Sequence, residues 1–493
     1  MSASTDPTSI HFLAFVHGMW GSPNHLSVVE NTVREEFAHA ERDIELVTLR
    51  IQTNAESHTY DGLDWGAERA VKEVYQAIAE LEASGRKVTK FSIFGYSLGG
   101  LISRYAIGIL YQRGFFSKVK PVNFTTFATP HLGLPRIPGF IGGMKHRLGP
   151  LLLSRTGKQF YGVDKDIWSP RDKNGKPLLE VMADEGSIFF KALKSFPNLT
   201  FYANAVNDLT VVYVTSMVEA YDPFVAIKTN SHRLGIKLDP KYKHVIESFG
   251  EISADGEVSP PSIETNSPDR HHSNRSLLPR FLQFPYRINP MLYLFVPILI
   301  PAGLTYLTIR FMRESRLSQR RIEMLAGSPD AESSLAVIMK KMEMAVADVV
   351  DPTDPGIASK DDIDDTEGET IVFEGLPQGT QEHSEIGPNT HETLKLLPTA
   401  PTEAAEVDRQ PGSNTIFTPP KSIPNDPHQP ILSPAQLTMI ESLNSIPHLR
   451  KVRAYFPHVQ NAHSVIIVRD PNSFPVHEDG MGVVRHWVDR FVL

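Results

Sequence analysis

A serine with a glycine two positions away on either side is the first feature of the sequence that could do chemistry. Gly95-Tyr96-Ser97-Leu98-Gly99 follows an apolar, β-prone segment that begins at Phe91, and it precedes Leu101 to Leu110, which has a helical pattern. Strand, sharp turn and helix in this order form a nucleophile elbow. Small residues are needed there because the serine backbone is strained and the strand and helix pass close together. The pattern therefore predicts that Ser97 is a nucleophile at the carboxyl edge of a parallel sheet.

Two backbone amides are candidates for stabilising the negative charge that such a nucleophile would generate on a carbonyl oxygen. The amide of Leu98 follows the serine directly. A glycine-bearing turn, His17-Gly18-Met19, follows the apolar run His11 to Val16, and a His-Gly-x turn after an early strand donates a second amide in serine hydrolases. We therefore expect an oxyanion hole formed by Met19 and Leu98. We expect His17 to be a structural residue of the loop, because the proton-carrying histidine should come late in the chain.

An acid that orients this histidine is expected at the carboxyl end of a strand after the nucleophile strand. Asn198 to Val206 has a strand pattern, and Asn207-Asp208 follows it. The carboxylate of Asp208 is our candidate, since it would hold the histidine tautomer and stabilise the imidazolium. Three other acids stay open as alternatives at this stage, namely Asp184, Glu185 and Asp222.

The histidine that completes the order Ser, Asp, His should lie in the loop after the last strand. Leu449 to Phe456 has the pattern of that strand. Four histidines follow it, His458, His463, His477 and His486. We favour His463 over His458 as the base, because the loop must extend far enough to carry the ring back over the serine. His131 precedes every candidate acid and is expected to be structural.

Strand and helix patterns alternate through the first part of the chain. Asp43 to Ile51 predicts a strand, Trp65 to Ala83 predicts a helix, and the elbow follows them. Such alternation is typical of the α/β class, with a mostly parallel central sheet covered by helices on both faces. Residues 139–193 interrupt the alternation and predict a helical cap over the active-site edge, where such folds accept insertions.

Composition restricts the remaining possibilities. The chain has 493 residues, of which 41% are hydrophobic, enough for a substantial core, while 38 prolines indicate that part of it is not packed. It contains no cysteine, which excludes disulfides, thiol nucleophiles and cysteine-ligated metals and favours a reducing compartment. The amino terminus shows no basic region followed by an apolar one, so no secretory signal is predicted.

An apolar segment without charged residues, Met291 to Ile309, is bracketed by arginines. Its length lies within the range that spans a bilayer. A single crossing would nevertheless separate Ser97 and Asp208 from His463, although the three side chains must lie within hydrogen-bond reach. We therefore expect either a hairpin or interfacial anchor at a lipid surface, with its central prolines and glycine at the turn, or a cap helix packed inside the protein.

The elbow, the segments FVHGMWGS, ATPHLG and YANAVNDLTV, and the late segment NAHSVIIVRD together resemble the serine esterase (lipase-like) family of α/β-hydrolases, in particular its fungal lipid-droplet phospholipases. The resemblance covers Ile10 to about Thr215 and Gln436 to Leu493. It implies that Ser97, Asp208 and His463 are the nucleophile, the acid and the base of an enzyme that cleaves lipid esters through an acyl-enzyme. It implies no cofactor, no metal and no nucleic-acid partner.

The same resemblance implies a location at the lipid droplet or the cytoplasmic face of an intracellular membrane, and otherwise in the cytoplasm. The predicted organisation is an α/β-hydrolase fold with a helical cap and a long, partly disordered insertion before the last strand. The segments are the first part of the hydrolase core (1–217), an insertion and linker (218–286), a lipid-associating apolar segment with basic flanks (287–326), an acidic, proline-rich disordered region (327–433) and the final strand and helix of the core (434–493).

Two other functions are compatible with the same sequence. In one, the chain is a membrane-associated scaffold with a degenerate hydrolase fold, and its acidic region carries the function. In the other, it is a soluble esterase or thioesterase whose apolar segment is only a buried helix. Reaction of Ser97 with a fluorophosphonate would separate an enzyme from a scaffold, and flotation with lipid would separate a lipid-associated enzyme from a soluble one.

Overall fold

Among the described residues, six parallel strands form the central sheet, and two more strands form a separate antiparallel hairpin. The computed structural model describes residues 9–38, 44–165, 175–225, 234–251, 291–326 and 429–493, all of which belong to one compact unit made of Met1–Val346 and Ser413–Leu493. The strands are β1 (Ser9–Val16), β2 (Ile44–Arg50), β3 (Lys87–Tyr96), β4 (Lys120–Phe127), β5 (Asn198–Asn204), the hairpin strands β6 (Leu234–Leu238) and β7 (Ile246–Glu251), and β8 (Leu449–Ala454).

Helices cover both faces of this sheet. In the described part of the chain they are α1 (Ser27–Phe37), α2 (Leu63–Ala83), α3 (Leu98–Gln112), α4 (Phe140–Leu152), α5 (Ser154–Phe160), α6 (Leu178–Ala183), α7 (Ile188–Lys194), α8 (Tyr213–Met217), α9 (Met291–Ala326), α10 (Pro434–Asn444) and α11 (Met481–Val488). The predicted α/β class with a mostly parallel central sheet is therefore confirmed.

The strand order of the main sheet is β2-β1-β3-β4-β5-β8, with every neighbouring pair parallel. From β1 the chain passes to β2 on one side and then returns to β3 on the other. The order therefore reverses between β1 and β3, and in parallel sheets this switch point is where ligands bind, beyond the carboxyl ends of the strands. Met19 follows β1 and Ser97 follows β3, so the topology brings their loops together at that point.

Alternation along β1 divides its side chains between two apolar cores. Phe12, Ala14 and Val16 face the core that contains α2 and α3, whereas Leu13 and Phe15 face the core that contains α1 and α11. Successive residues of a strand point to opposite faces. Because both faces are covered by helices, the central strands are apolar on both sides instead of alternating between apolar and polar residues.

The helices between Phe140 and Lys194 differ from the predicted cap. α4 packs on α5 and α9, and α5 packs on α9 and on the 3₁₀ turn Glu56–Tyr60. α6 and α7 instead belong to the main core, where α7 packs on α3. The sequences of α6 and α7 explain this position. Apolar residues such as Met182 and Phe189 are buried in the core, whereas in a cap over the active-site edge part of their apolar surface would be exposed to water.

The described parts of the insertion add structure that the sequence analysis missed. The β6–β7 hairpin lies within the segment predicted as insertion and linker, and Val245 pairs with Ala454 at the end of β8. The region predicted to be disordered, 327–433, lies outside the described residues as far as 428. The described residues begin again at Gln429, ahead of the predicted boundary, and there the amide of Ile431 donates to the Arg136 carbonyl at 2.8 Å.

The apolar segment is part of one continuous helix, α9, so the prediction of a hairpin is wrong. Each of its prolines removes a backbone donor and can bend a helix, but the helix continues through both. The alternative of a buried cap helix is not observed either, because every residue from 301 to 310 is exposed. Among the described residues, no helix combines the length and the apolar composition that crossing a membrane requires.

Several contacts fix the carboxyl-terminal half of α9 to the core, and two of them involve large side chains. The ring of Phe311 stacks on Trp20, with centroids 5.7 Å apart and planes 8° from parallel. The guanidinium of Arg321 binds the buried carboxylate of Asp61 at 2.8 Å, and Arg69 binds the same carboxylate at 3.0 Å. A buried carboxylate requires such partners, because an unpaired charge in the interior is strongly destabilising.

Trp487 provides a test of the packing of α11 against the central sheet. It is buried among Phe15, Phe94 and Phe127, and its indole N–H donates to Thr125 at 3.1 Å. We expect Trp487→Ala to lower the free energy of unfolding by about 3–5 kcal/mol, because it removes a large buried ring and leaves a cavity. Urea unfolding followed by circular dichroism would measure the change.

The matched control is Phe474→Ala. Phe474 is 54% exposed, so its loss should change the unfolding free energy by no more than about 0.5 kcal/mol. Equal losses in the two variants would contradict the assignment of α11 to the core.

Candidate active site

Ser97 occupies the sharp turn between β3 and α3. Its backbone has φ 55° and ψ −125°, a conformation that a residue with a side chain adopts only at an energetic cost. The amide of Ser97 donates to the carbonyl of Phe127 at the end of β4, at 2.9 Å. This bond holds the turn against the neighbouring strand, and the side chain is buried rather than free in solvent.

Two glycines flank the turn because no side chain fits at either position. A Cβ atom on Gly95 would overlap the backbone of Gly100, and one on Gly99 would overlap the carbonyl of Val16. The first contact brings β3 and α3 together, and the second brings α3 against the end of β1. A Cβ at Gly18, in the loop after β1, would lie 2.8 Å from the Cβ of Ser97. The His17-Gly18-Met19 loop therefore lies directly beside the serine.

The peptide between Gly18 and Met19 is oriented by hydrogen bonds to its carbonyl. The Gly18 oxygen lies 3.1 Å from the amide of Gly21 and 3.0 Å from Nδ1 of His17. Because a trans peptide points its N–H opposite to its C=O, these bonds direct the Met19 amide away from the turn. The Leu98 amide is also available, since the first amides of a helix have no partner within it. Burial lowers the pKa of the His17 ring, which is compatible with the structural role expected of it.

His463 lies between the serine and a carboxylate. Its Nε2 is 3.0 Å from Oγ of Ser97, and its Nδ1 is 3.0 Å from Oδ2 of Asp208. The structure thus brings together the three side chains that the sequence analysis selected, from the ends of β3, β5 and β8. With Nδ1 donating its proton to the carboxylate, the lone pair on Nε2 faces the serine hydroxyl.

The Asp208 carboxylate is held on both of its oxygens. Oδ1 accepts from the amides of Thr210 and Val211 at 2.9 and 2.8 Å, and Oδ2 accepts from the side-chain amide of Asn204 at 2.8 Å. Burial raises the pKa of Asp208, but the charge of His463 and these hydrogen bonds outweigh it, so that the pKa lies below its ordinary value. Asp208 is therefore ionised at neutral pH, as an acid that orients an imidazole must be.

Two asparagines that the sequence analysis did not select join the acid loop to the histidine loop. The side-chain amide of Asn207 donates to the carbonyl of Phe456 at 3.0 Å, and the backbone carbonyl of Asn207 accepts from the amide of Ala462 at 2.8 Å. Oδ1 of Asn461 accepts from the amides of Leu209 and His463, at 3.3 and 3.2 Å. Asn207 has φ 61°, a conformation that asparagine tolerates better than most residues. That tolerance is the only sign of this role in the sequence.

Tyr96 is a third residue that was missed. Its hydroxyl donates to the carbonyl of His463 at 2.9 Å, and its ring lies 5.1 Å from the imidazole. Burial raises the pKa of Tyr96 far above its ordinary value, so the hydroxyl keeps the proton that it donates. No signal in the sequence marks this residue, because the elbow pattern leaves the position before the serine unrestricted.

The competing histidines are engaged elsewhere. Nε2 of His458 contacts Asp479 at 2.6 Å, His477 contacts Ser464 at 3.0 Å, and Nδ1 of His486 contacts the Tyr202 hydroxyl at 2.9 Å. His131 is buried, with Nε2 2.9 Å from Thr126 and its ring stacked 3.8 Å from Phe201. Burial holds the pKa of His131 well below its ordinary value, which fits the structural role expected of it.

The competing acids also have other partners. Asp184 binds Lys176 at 2.7 Å, Glu185 accepts from Ser445 at 2.9 Å, and Asp222 accepts from the amide of Phe224 at 2.9 Å. Of the four candidate acids, Asp208 is the one that contacts His463.

Part of the chain is similar to known proteins. Residues 6–220 match the family model described as "Putative serine esterase (DUF676)". "Putative lipase C4A8.10" of Schizosaccharomyces pombe is 27% identical over 214 residues, which cover 42% of this chain and 26% of that protein. "Putative lipase ROG1" of Saccharomyces cerevisiae is 34% identical over 166 residues, which cover 32% of this chain and 23% of that protein. The chain thus spans about a quarter of the length of these relatives.

A solved structure, phospholipase PlaB from Legionella pneumophila in complex with thio-NAD, aligns with 40% of this chain and 38% of its own, at a TM-score of 0.25 and 15% identity. The strand order and the elbow of the present structure themselves confirm the predicted α/β-hydrolase fold. The family match includes Met19, Ser97, Leu98 and Asp208 but ends before His463. Residues 6–220, somewhat less than half of the chain, are thus similar to the family described as "Putative serine esterase".

Proposed function

We propose that the protein is a serine hydrolase that cleaves carboxylic esters of lipids through an acyl-enzyme on Ser97. The observation that carries this proposal is the imidazole of His463, which bridges Ser97 Oγ and Asp208 Oδ2 with two contacts of 3.0 Å. A hydroxyl next to a base that is itself oriented by a third group is the arrangement that activates a serine nucleophile. The strained turn of Ser97 supports the same reading, since such strain clusters at active sites.

The reaction follows from these positions. Ser97 Oγ attacks the ester carbonyl while its proton moves to Nε2 of His463, and Asp208 stabilises the imidazolium that forms. The amides of Met19 and Leu98 donate to the oxyanion; in such sites one donor contributes about 2.7–4 kcal/mol. When the tetrahedral intermediate collapses, the alcohol leaves with the proton from His463. Water, deprotonated by the same ring, then releases the acyl group as a carboxylic acid and restores the serine.

Two observations favour a lipid as the source of the ester. Two relatives of part of the chain carry the name "Putative lipase", and α9 presents an apolar surface without a partner in the described part of the chain. We call this the α9 apolar surface. It consists of the exposed side chains of Ile298, Leu299, Leu304, Tyr306, Leu307 and Ile309.

A lipid surface is the occupant that fits the α9 apolar surface best. A helix that is apolar on all sides is normally buried, and exposed apolar patches of this kind mark interaction sites. Four exposed arginines follow it on the same helix, Arg310, Arg313, Arg316 and Arg320, and cationic residues beside an apolar surface favour anionic head groups. We therefore place the enzyme on the surface of a lipid droplet or of the cytoplasmic leaflet of an intracellular membrane.

Ser97 and His463 provide the first test of this function. We expect Ser97→Ala to abolish labelling by a fluorophosphonate, and both Ser97→Ala and His463→Ala to lower ester hydrolysis by more than about a thousandfold, because residues that act as one unit lose activity together. Activity on a short-chain soluble ester would be measured beside circular dichroism, to show that the variants fold. His58→Ala, an exposed histidine outside the site, should behave as the wild type. An unlabelled wild type would favour the scaffold alternative.

Acid titration tests the environment of Asp208. A carboxylate with a lowered pKa in the folded state stabilises the fold above its unfolded pKa of about 3.9, and this contribution is lost as the pH falls through the folded pKa. The unfolding free energy of the wild type should therefore approach that of Asp208→Asn as the pH falls below about 4. Urea unfolding of both proteins at several acidic pH values would measure this. A difference that widened on acidification would contradict the lowered pKa.

The α9 apolar surface can be tested separately from the chemistry. Replacing Leu299, Leu304 and Ile309 by Gln should reduce flotation with anionic phospholipid vesicles and hydrolysis of dispersed lipid, while hydrolysis of a soluble ester stays within about twofold, because the exposed residues do not support the core. Met324→Gln is the matched control, since Met324 is 70% exposed near the other end of the same helix. Unchanged flotation of the triple variant would favour the soluble alternative.

A further inference from the structure

A second group of ionisable side chains lies outside the Ser97 site. It consists of His244, which precedes β7, His458, which follows β8, and Asp479, in the 3₁₀ turn Pro475–Gly480. Each side chain offers one ligand atom, and the three atoms lie within 4.8 Å of one another. The reaction proposed for Ser97 uses none of them. Two imidazole nitrogens and a carboxylate oxygen are a common set of ligands for Zn²⁺.

The tautomer of His244 favours a cation between its ring and the carboxylate of Asp479. Its Nδ1 lies 2.9 Å from the carbonyl of Tyr455, and because a carbonyl only accepts, Nδ1 carries the proton. The other nitrogen, Nε2, is buried and has no hydrogen-bond partner among the described residues. It faces Oδ1 of Asp479 at 3.6 Å. A lone pair directed at a carboxylate is unfavourable, and a proton placed on Nε2 would have no acceptor within hydrogen-bond distance.

A cation between Nε2 and the carboxylate removes this conflict. Metal-binding histidines almost always donate their second ring N–H to a carbonyl or a carboxylate, which fixes both the tautomer and the orientation of the ring. His244 has this arrangement already. Its own backbone carbonyl accepts from the amide of Tyr455 at 2.8 Å, so two bonds to the same residue hold it in place. Its lone pair is therefore oriented before any ion arrives.

The other two ligands are placed to complete the site. Nε2 of His458 lies 2.6 Å from Oδ2 of Asp479, and the side chain of His458 is 50% exposed, which leaves room for water on that side. Lys243 lies 3.3 Å from Oδ1 of Asp479. Because the lysine side chain is itself exposed, it can move away when a cation takes its place beside the carboxylate.

We propose that His244, His458 and Asp479 bind one Zn²⁺ ion, with water as the fourth ligand. The ion would join the start of the loop that carries His463 to the turn Pro475–Gly480, through the ligands His458 and Asp479. Its role is to brace that loop and not to take part in ester cleavage. The site goes beyond the proposed hydrolase activity and does not depend on it.

Calorimetric titration of the full chain with ZnCl₂, after treatment with a chelator and its removal, tests the proposal. We expect one tight equivalent in the wild type. Asp479→Asn preserves the size of the side chain and should weaken the binding of that equivalent by more than about tenfold, because it removes the anionic ligand. His58→Ala, which changes an exposed histidine elsewhere, should bind as the wild type does. Equal affinity in the wild type and in Asp479→Asn would overturn the proposal, as would the absence of a tight equivalent.

Two further readouts do not depend on a single variant. Zn²⁺ should raise the melting temperature of the wild type but not of Asp479→Asn, because an ion that binds only the folded state stabilises it. Lys243→Met, which removes the competing cation, should bind Zn²⁺ at least as tightly as the wild type. Loss of binding in Lys243→Met, with the fold intact by circular dichroism, would mean that the cluster is an ion-pair network and not a metal site.

Discussion

The site depends on a lack of space around Ser97, where three backbone segments meet. Gly99 leaves no gap between α3 and the end of β1, and Gly18 leaves little between the next loop and the serine. The reversal of strand order between β1 and β3 makes this meeting possible, since it sets two strand ends side by side. The positive φ of Ser97 costs about 1–3 kcal/mol, and the buried surroundings of α3 offset it. Packing therefore holds the backbone of Ser97 in a conformation that a serine rarely adopts without such support.

Local patterns were enough to predict the parts of the site that local structure determines. The elbow and the strands around it follow from short periodic runs, and Asp208 and His463 follow from their distance beyond a strand end. The residues that join the two loops, Asn207 and Asn461, could not be predicted, because each bonds a segment far away in the sequence. The prediction of a hairpin in the apolar segment is wrong for a related reason. Prolines weaken a helix locally, but they do not determine where it ends.

The contacts of α9 connect the outer part of the molecule to the oxyanion loop. Phe311 stacks on Trp20, the residue after Met19, while the Trp20 indole donates to Tyr60 at 2.8 Å. One aromatic pair therefore lies between the helix that carries the α9 apolar surface and a proposed oxyanion donor. Arg321 holds the same helix through the buried carboxylate of Asp61. If α9 moved, it would therefore either shift the loop that contains Met19 and Trp20 or break one of these two contacts.

The pairing of β8 with β5 has a consequence for the protein while it is being made. β1, β3 and β5 all precede the long insertion, so the segment with the nucleophile, the acid and both oxyanion donors leaves the ribosome first, and domains tend to fold in that order. Among the described strands of the main sheet, β8 pairs with β5 alone, and His463 follows it. A nascent chain that has already formed the elbow therefore has no base beside its serine. On the proposed mechanism, the protein cannot hydrolyse an ester until its last strand has been synthesised and has joined the sheet.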